Sequence, residues 1–296
     1  MNLVRLPHPV AVGTFLRHYV DREPLIIQVP DLAVLGWQTH RWTNDYLSYK
    51  GGAHEVRVLQ QPRAGLFTAE SASYVAMPFR HFIREVMAPP EGNPGYYLNL
   101  QTDRLIEPPL LQLIGDFSIP DYFKDFMMRC IVLWMGNSPS PIVTVLHHDF
   151  NDNLYVVVEG RKQFTLFPPT EAHHLYPRGV IRRIAETGLI EYEAGEKQPH
   201  LSAIDIAKPD FDRFPAYREA LPQRIDLEIQ RNEMLFLPAG WFHQVSSQGR
   251  HIALSFFAEV PSPAGFEHLR NLIRNATPIA REAATSGATS GNSFRP

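Results

Sequence analysis

The stretch 142–169, IVTVLHHDFNDNLYVVVEGRKQFTLFPP, decides the fold that we predict for this chain. Its first five residues are apolar or β-branched, which favours a strand. Because side chains alternate between the two faces of a strand, His147 and Asp149 point to one side and His148 to the other. This parity selects His147 as the partner of Asp149. An imidazole and a carboxylate on one face can serve as adjacent ligands of a metal ion.

A second stretch, 233–247, reads EMLFLPAGWFHQVSS and supplies a further histidine. Residues 234–237 favour an apolar strand, residues 238–240 a turn, and residues 241–247 a following strand. His243 lies just after the turn. Two histidines and one carboxylate that leave coordination positions open are the ligand set of non-haem Fe(II) oxygenases. The alternative is that His243, one of 13 histidines, is an ordinary surface or hydrogen-bonded residue.

Lys162 follows the predicted hairpin Glu-Gly-Arg at the start of another strand. A fixed ammonium beside an iron site can pair with a dianionic acid cosubstrate as a point charge. Spacing alone favours the alternative, a solvated hairpin lysine.

The two stretches resemble the cupin-like Jumonji-C hydroxylases. The motifs are a threonine, then His-x-Asp three residues later, then Asn-Leu, Gly-x-Lys, Leu-Phe-Pro-Pro and Leu-Pro-Ala-Gly-Trp-x-His. That family includes the asparaginyl hydroxylase acting on hypoxia-inducible factor, lysyl hydroxylases and a hydroxylase of a wybutosine-type tRNA base. The resemblance implies a mainly β fold, a double-stranded β-helix of the jelly-roll or cupin type with flanking helices.

The resemblance also implies roles for individual residues. His147, Asp149 and His243 would bind Fe(II) and carry catalysis, with 2-oxoglutarate as cosubstrate. The positions that match cosubstrate-binding residues are Lys162, for the distal carboxylate, and Thr144, Tyr97 and Asn153. Asn99 matches a residue that faces the substrate. Two positions depart from the family pattern. His148, which we expect to contact the substrate, stands where relatives frequently have a tyrosine. Ser255, which we expect to bind the cosubstrate, stands where some relatives have an asparagine that contacts it.

From this resemblance we expect an Fe(II)- and 2-oxoglutarate-dependent dioxygenase that hydroxylates an unactivated carbon. A protein side chain is the first choice of substrate, a small molecule the second and a tRNA base the third. Two alternatives stay open. One is a non-catalytic cupin-like binding module, although such a module would ordinarily lose a ligand or the lysine. The other is a cupin that uses zinc or manganese, because ligands alone do not identify a metal.

Composition bounds the remaining expectations. The chain has 296 residues, 28 basic against 31 acidic, and a formal charge of −3, which gives no argument for nucleic acid binding. Its single cysteine, Cys130, rules out an intramolecular disulfide. We find no signal peptide pattern and no apolar run long enough to span a membrane, and expect a cytoplasmic protein. The expected domains are a hydroxylase domain (1–260), a C-terminal helix that could form a homodimer (261–277) and a disordered tail (278–296).

Several predicted elements bear on the site. We expect a short helix at 122–128, a strand at 131–135 and a turn at 136–141. Residues 241–247 and 252–260 are expected to form separate strands, and residues 55–59 an edge strand. The segment 176–202 reads as an insertion between barrel strands, either a lid or hairpin at the substrate mouth or a solvated surface excursion.

Overall fold

The computed structural model describes residues 3–60, 73–88, 96–100, 104–124 and 126–259. The predicted C-terminal helix and tail lie outside these residues. Within them the strands are, in chain order, β1 (Arg5–Pro7), β2 (Leu25–Gln28), β3 (Glu55–Gln60), β4 (Ser73–Pro78), β5 (Tyr96–Asn99), β6 (Met127–Val143), β7 (His147–His148), β8 (Asp152–Glu159), β9 (Arg161–Phe167), β10 (Ile181–Ile184), β11 (Ile190–Tyr192), β12 (Ile225–Gln230), β13 (Glu233–Leu237) and β14 (Phe242–Glu259).

The helices are short and lie mostly in the N-terminal part. The α-helices are α1 (Val12–His18), α2 (Asn44–Gly51), α3 (Phe79–Glu85) and α4 (Tyr217–Ala220). Short 3-10 helices span Leu32–Leu35, Thr39–Arg41, Leu110–Asp116, Pro169–Leu175 and Leu221–Gln223. Helix α2 begins where its N-cap residue dictates, because the Thr43 hydroxyl accepts a hydrogen bond from the Tyr46 amide at 3.2 Å. None of the helices in the described ranges has the length and apolar character that a membrane crossing requires.

Strand β14 joins the two layers of the barrel. One of its edges pairs with β7 and then with β6 along nearly its whole length. The other edge pairs with β9 near Phe242 and with β8 beyond Ile252. β8 continues through β13 and β2 to β1, whereas β9 continues to β12. The strand therefore belongs to both layers, as in a double-stranded β-helix, and the mainly β jelly-roll prediction is confirmed.

Apolar side chains of both layers fill the interior between them. The central cluster combines Tyr155 and Val157 of β8, Phe164 and Leu166 of β9, and Leu235 of β13. In β9 these residues alternate with more exposed ones, whereas β8 and β13 are buried on both faces. The polar residues of the site lie at one end of this interior.

Some sequence-based boundaries are wrong. Residues 127–143 form the single strand β6, so its first residues are not helical and no turn interrupts it at 136–141. Residues 242–259 likewise form one strand, with a register shift between Ser247 and Gly249 in its pairing with β6. Strand β3 pairs with both β4 and β5, so it does not lie at the edge. In each case long-range pairing overrides the local turn and helix signals.

The segment 176–202 contains the antiparallel hairpin of β10 and β11. It also returns to the barrel at its end. Leu201 forms an antiparallel bridge with His147, and the Ser202 amide donates to the Leu146 carbonyl at 2.8 Å. Tyr192 and Leu175 pack in a second apolar cluster with Phe242. The segment is a hairpin docked beside the strand that carries His147, and not a solvated excursion.

Candidate metal centre

His147 and His243 lie directly opposite each other in the antiparallel pair of β7 and β14. Their ring centroids are 4.2 Å apart. Asp149 reaches the same place two residues after His147, and its Oδ2 lies 3.5 Å from His243 Nε2. One ligand atom from each of the three side chains lies within 4.8 Å of the others. The group could therefore hold one metal ion.

Backbone carbonyls fix the tautomer of both imidazoles. His147 Nδ1 donates to the Val145 carbonyl at 2.8 Å, and His243 Nδ1 donates to the Trp241 carbonyl at 3.0 Å. A carbonyl can only accept, so Nδ1 carries the proton in each neutral ring. Each Nε2 is left with its lone pair for a metal. Such outer hydrogen bonds are usual for metal-binding histidines.

Burial makes the unmetallated group electrostatically costly. It raises the pKa of Asp149, against the opposing effect of His147 and His200. It lowers the pKa of His243, which nearby His147 lowers further. Both shifts favour the neutral forms of the two side chains. A bound divalent cation would stabilise the charged carboxylate of Asp149 and would bind the neutral imidazole of His243.

The triad opens into a small cavity inside the barrel. Its wall combines the three ligand candidates with residues from β5, β6, β8, β9 and β14. The lining residues are Tyr97, Trp134, Thr144, His147, Asp149, Asn153, Tyr155, Phe164, His243, Val245, Ser255 and Phe257. The fold thus gathers around the triad most of the residues that we expected to form the site from the sequence.

Lys162 is buried beside this cavity, with 1% of its surface exposed. The solvated-hairpin alternative for this lysine is therefore wrong. Its Nζ donates to Tyr97 Oη at 3.0 Å and lies 5.0 Å from the centroid of the Tyr97 ring. Among the described residues it has no ion pair. Burial lowers the pKa of Lys162 well below its ordinary value, because a buried ammonium without a counter-ion is unfavourable.

Hydrogen bonds fix the smaller polar groups of the wall. The Val245 amide donates to Thr144 Oγ1 at 2.9 Å. Ser255 Oγ accepts from Trp134 Nε1 at 2.9 Å and from Asn153 Nδ2 at 3.4 Å. These bonds hold the hydroxyl oxygens at defined positions on the cavity wall.

The donor set fits Fe(II) and 2-oxoglutarate. Asn153 Oδ1 and the Tyr155 hydroxyl are buried and have no hydrogen-bond partner within the described residues. An orphaned polar atom of this kind is costly unless a ligand satisfies it. The two Nε2 atoms and the Asp149 carboxylate suit a metal, and the Tyr155 hydroxyl and the Lys162 ammonium, both donors, suit a small dicarboxylate.

The two residues predicted to face the substrate lie elsewhere. His148 is fully buried on the opposite face, as the parity argument requires, and accepts from the Tyr192 hydroxyl at 2.7 Å. Burial lowers its pKa to about 3. Asn99 pairs in register with Trp134, and its Oδ1 is buried with no partner among the described residues. Neither residue lines the cavity, so their roles toward substrate stay predictions.

The sequence analysis singled out neither His200, beside the site, nor five residues of the cavity wall: Trp134, Tyr155, Phe164, Val245 and Phe257. Tyr155 follows Asn153 at the spacing of one strand face, which could have revealed it. Trp134 lies in an apolar run that gave no signal. His200 comes from the insertion, and its carbonyl accepts from the His148 amide at 3.3 Å. Burial, assisted by His147, lowers the pKa of His200 to about 4. The hydrogen bond from the His148 amide and the bridge between Leu201 and His147 place it there.

The sequence of this chain is similar to those of known proteins over most of its length. A family model described as a cupin-like domain matches residues 13–260. The human tRNA wybutosine-synthesizing protein 5 is 27% identical, over 85% of this chain and 78% of its own. The human bifunctional peptidase and (3S)-lysyl hydroxylase JMJD7 is 30% identical, over 74% and 72%. The lysine-specific demethylase JMJ31 of Arabidopsis thaliana is 25% identical, over 81% and 47%. The chain therefore belongs to the cupin-like, Jumonji-C family of Fe(II)- and 2-oxoglutarate-dependent hydroxylases and demethylases.

Proposed function

We propose that this chain hydroxylates a carbon atom of a protein side chain, with His147, Asp149 and His243 as its Fe(II) ligands. The observation that carries the proposal is the burial of Lys162, a lysine without an ion pair among the described residues, beside a cavity that holds two histidines and one aspartate. In a protein without a ligand, a buried lysine that lacks a counter-ion would only destabilise the fold. In an enzyme that binds a dianionic cosubstrate, the same lysine pairs with a carboxylate of that cosubstrate.

Lys162 and four residues of the cavity wall bind the cosubstrate in this proposal. Lys162 pairs with the distal carboxylate of 2-oxoglutarate, and Thr144 and Tyr97 supply hydroxyl groups to the same end. Asn153 and Ser255 orient the cosubstrate from the neighbouring wall. When bound, Fe(II), 2-oxoglutarate and dioxygen supply the chemistry, in which one oxygen atom enters a C–H bond and the other ends in succinate, with release of carbon dioxide.

The apolar part of the wall supports this chemistry indirectly. Phe164, Val245 and Phe257 line the cavity without offering a hydrogen bond. They exclude bulk water, which strengthens the electrostatic interaction between Lys162 and a carboxylate. No general acid or base is required of the protein in this reaction.

Charge and the relatives support a choice of substrate class. A lysyl hydroxylase and a lysine demethylase are among the similar proteins, which supports a protein side chain. The tRNA wybutosine-synthesizing proteins make a tRNA base the second candidate. A formal charge of −3 does not favour a polyanionic substrate. A protein side chain is therefore our first choice.

The first test measures cosubstrate binding under anaerobic conditions. Thermal unfolding is followed with Mn(II) alone and with Mn(II) and 2-oxoglutarate. At about 100 times its dissociation constant, a ligand stabilises the folded state by about 2.7 kcal/mol. We expect this further stabilisation with 2-oxoglutarate. Stabilisation by metal but not by 2-oxoglutarate would favour a binding module or a cupin with another reaction.

The second test separates the substrate classes. Succinate release from 2-oxoglutarate is measured aerobically with Fe(II), in parallel with a protein extract and with bulk tRNA. We expect the protein fraction to stimulate succinate release, and mass spectrometry to find a gain of one oxygen atom in a peptide. Stimulation by tRNA alone would replace the protein side chain by the tRNA base.

A further inference from the structure

We propose that His251 is a positioning residue for 2-oxoglutarate, which acts by packing its ring against Tyr97 and so holds Tyr97 and Lys162 in place. The inference rests on the proposed function, because Lys162 is the cosubstrate-binding lysine in it. His251 does not line the cavity with Tyr97 and would therefore act through other side chains.

Strand register places three residues in one row across the sheet. On one side of β6, Gly136 pairs with His251 of β14. On the other side, the same Gly136 pairs with Tyr97 of β5. Side chains of paired residues point to the same face of a sheet, so His251 and Tyr97 flank a position that has no side chain.

The missing side chain lets the two rings approach each other. Their centroids are 5.7 Å apart, although two strand spacings separate the backbones of His251 and Tyr97. A Cβ atom on Gly136 would lie 2.8 Å from His251 Cε1 and 3.1 Å from Tyr97 Cδ2. Glycine within a strand commonly marks such a close approach. Any larger residue would therefore push the rings apart.

Two rings contact the ring of Tyr97. His251 packs on it at an interplanar angle of 40°, and Trp134 stacks on it with a centroid distance of 6.1 Å. The Tyr97 hydroxyl then accepts from the Lys162 ammonium at 3.0 Å. A side chain as long as lysine has many rotamers, and this hydrogen bond selects among them. Displacement of Tyr97 would release Lys162.

The chemistry of His251 suits this position. Its Nδ1 donates to the Gly249 carbonyl at 2.9 Å, and its Nε2 is buried with no partner in the described part of the chain. The ring has 0% exposure. Burial lowers the pKa of His251, and Lys162 lowers it further. A neutral ring packs on Tyr97 without competing with Lys162 for a carboxylate.

The experiment measures two dissociation constants by calorimetry under anaerobic conditions, for Mn(II) and for 2-oxoglutarate on the Mn(II)-loaded protein. For His251→Ala we expect the 2-oxoglutarate constant to rise about tenfold, the size of a typical coupling between contacting residues. The Mn(II) constant stays within about twofold, because the triad is untouched. His251→Phe keeps a ring against Tyr97 and restores most of the lost affinity.

Two further variants keep the proposal testable if His251→Ala folds poorly. Gly136→Ala forces the rings apart without removing either of them, and we expect it to weaken 2-oxoglutarate as well. His8→Ala is the matched control, because His8 also packs on a tyrosine, Tyr122, at a centroid distance of 6.1 Å, away from the site. It leaves both dissociation constants unchanged.

The outcomes distinguish this inference from the proposed function. Wild-type protein that binds Mn(II) but not 2-oxoglutarate would overturn both. Wild-type binding that Lys162→Ala weakens and His251→Ala does not would overturn the role of His251 alone. Equal losses in His251→Ala and His251→Phe would assign the effect to the imidazole nitrogens and overturn the ring-packing account. A double variant His251→Ala, Lys162→Ala that binds no more weakly than Lys162→Ala supports it.

Discussion

His147 and His243 occupy opposing positions of two antiparallel strands, β7 and β14, with their ring centroids 4.2 Å apart. Their geometry is set by strand register and by two backbone carbonyls, and not by flexible loops. A site built on paired strands is preorganised, so little conformational entropy is lost when a metal binds.

Loss of one ligand is expected to abolish metal binding without unfolding the protein. In Asp149→Ala or His243→Ala, the remaining two ligands bind a divalent ion weakly, and iron-dependent turnover is lost. Asp149 is a buried acid whose raised pKa marks an energetic cost, so its removal leaves the apo protein folded. Circular dichroism checks the fold, and the Mn(II)-dependent shift in melting temperature checks the site.

The control for this prediction is His40→Ala, which removes an exposed histidine far along the chain. It retains the full Mn(II)-dependent shift. Full turnover in Asp149→Ala or His243→Ala would show that the three residues are not the ligand set.

Replacement of Lys162 is expected to separate stability from function. Lys162→Met removes a buried ammonium that has no ion pair among the described residues and keeps most of the apolar stem. The free energy of unfolding of the apo protein should rise by about 1 kcal/mol or more, because replacing buried charge by an apolar group is often stabilising. The stabilisation by 2-oxoglutarate should disappear. Urea unfolding with and without ligand measures both, and a less stable apo variant would contradict the burial argument.

The pH dependence of stability should carry the signature of Lys162. Its folded-state pKa is lowered below the ordinary value of 10.5. Between these two values the unfolded chain binds a proton that the folded state does not, so the free energy of unfolding rises with pH. The slope is up to about 1.4 kcal/mol per pH unit. We expect Lys162→Met to lack this slope in metal-free protein, and identical slopes in the two proteins would contradict the prediction.

The bond between Tyr192 and His148 should stabilise the docked hairpin. Tyr192→Phe leaves His148 Nε2 buried without its partner, at a cost of about 1–3 kcal/mol in the free energy of unfolding. Mn(II) affinity should change little, because His148 points away from the triad. Tyr49→Phe, at a residue with 85% exposure, is the matched control. Equal stability of the two variants would argue against this hydrogen bond.

The local part of the site follows from the sequence through strand parity. The period of two selects His147 over His148, and the structure places His148 on the opposite face. The same rule could have added Tyr155 to Asn153. The strand is interrupted between Val143 and His147 and again after His148, but parity still holds within each short strand: His147 and His148 are consecutive in β7, and Asn153 and Tyr155 are two residues apart in β8.

The long-range part does not follow from local patterns. The proline and glycine residues at 136–141 predict a turn, yet pairing with β14 keeps β6 extended through them. His200 joins the site through a bridge of Leu201 to His147, between residues 54 positions apart. Burial of Lys162 likewise depends on strands far away in sequence. Local propensity carries no information about such partners.

The course of β14 has a consequence for how the protein can assemble and be divided. His243 and Ser255 line one cavity although they are 12 positions apart on the same strand, roughly 40 Å in extended form. The strand must therefore curl around the barrel before the cavity exists. A nick or a circular permutation between Gln248 and Gly249 would separate His243, a candidate metal ligand, from Ser255, which lines the cosubstrate cavity. Metal capture and cosubstrate capture are thus properties of one cooperative unit, and fragments that retain only one of them are not expected.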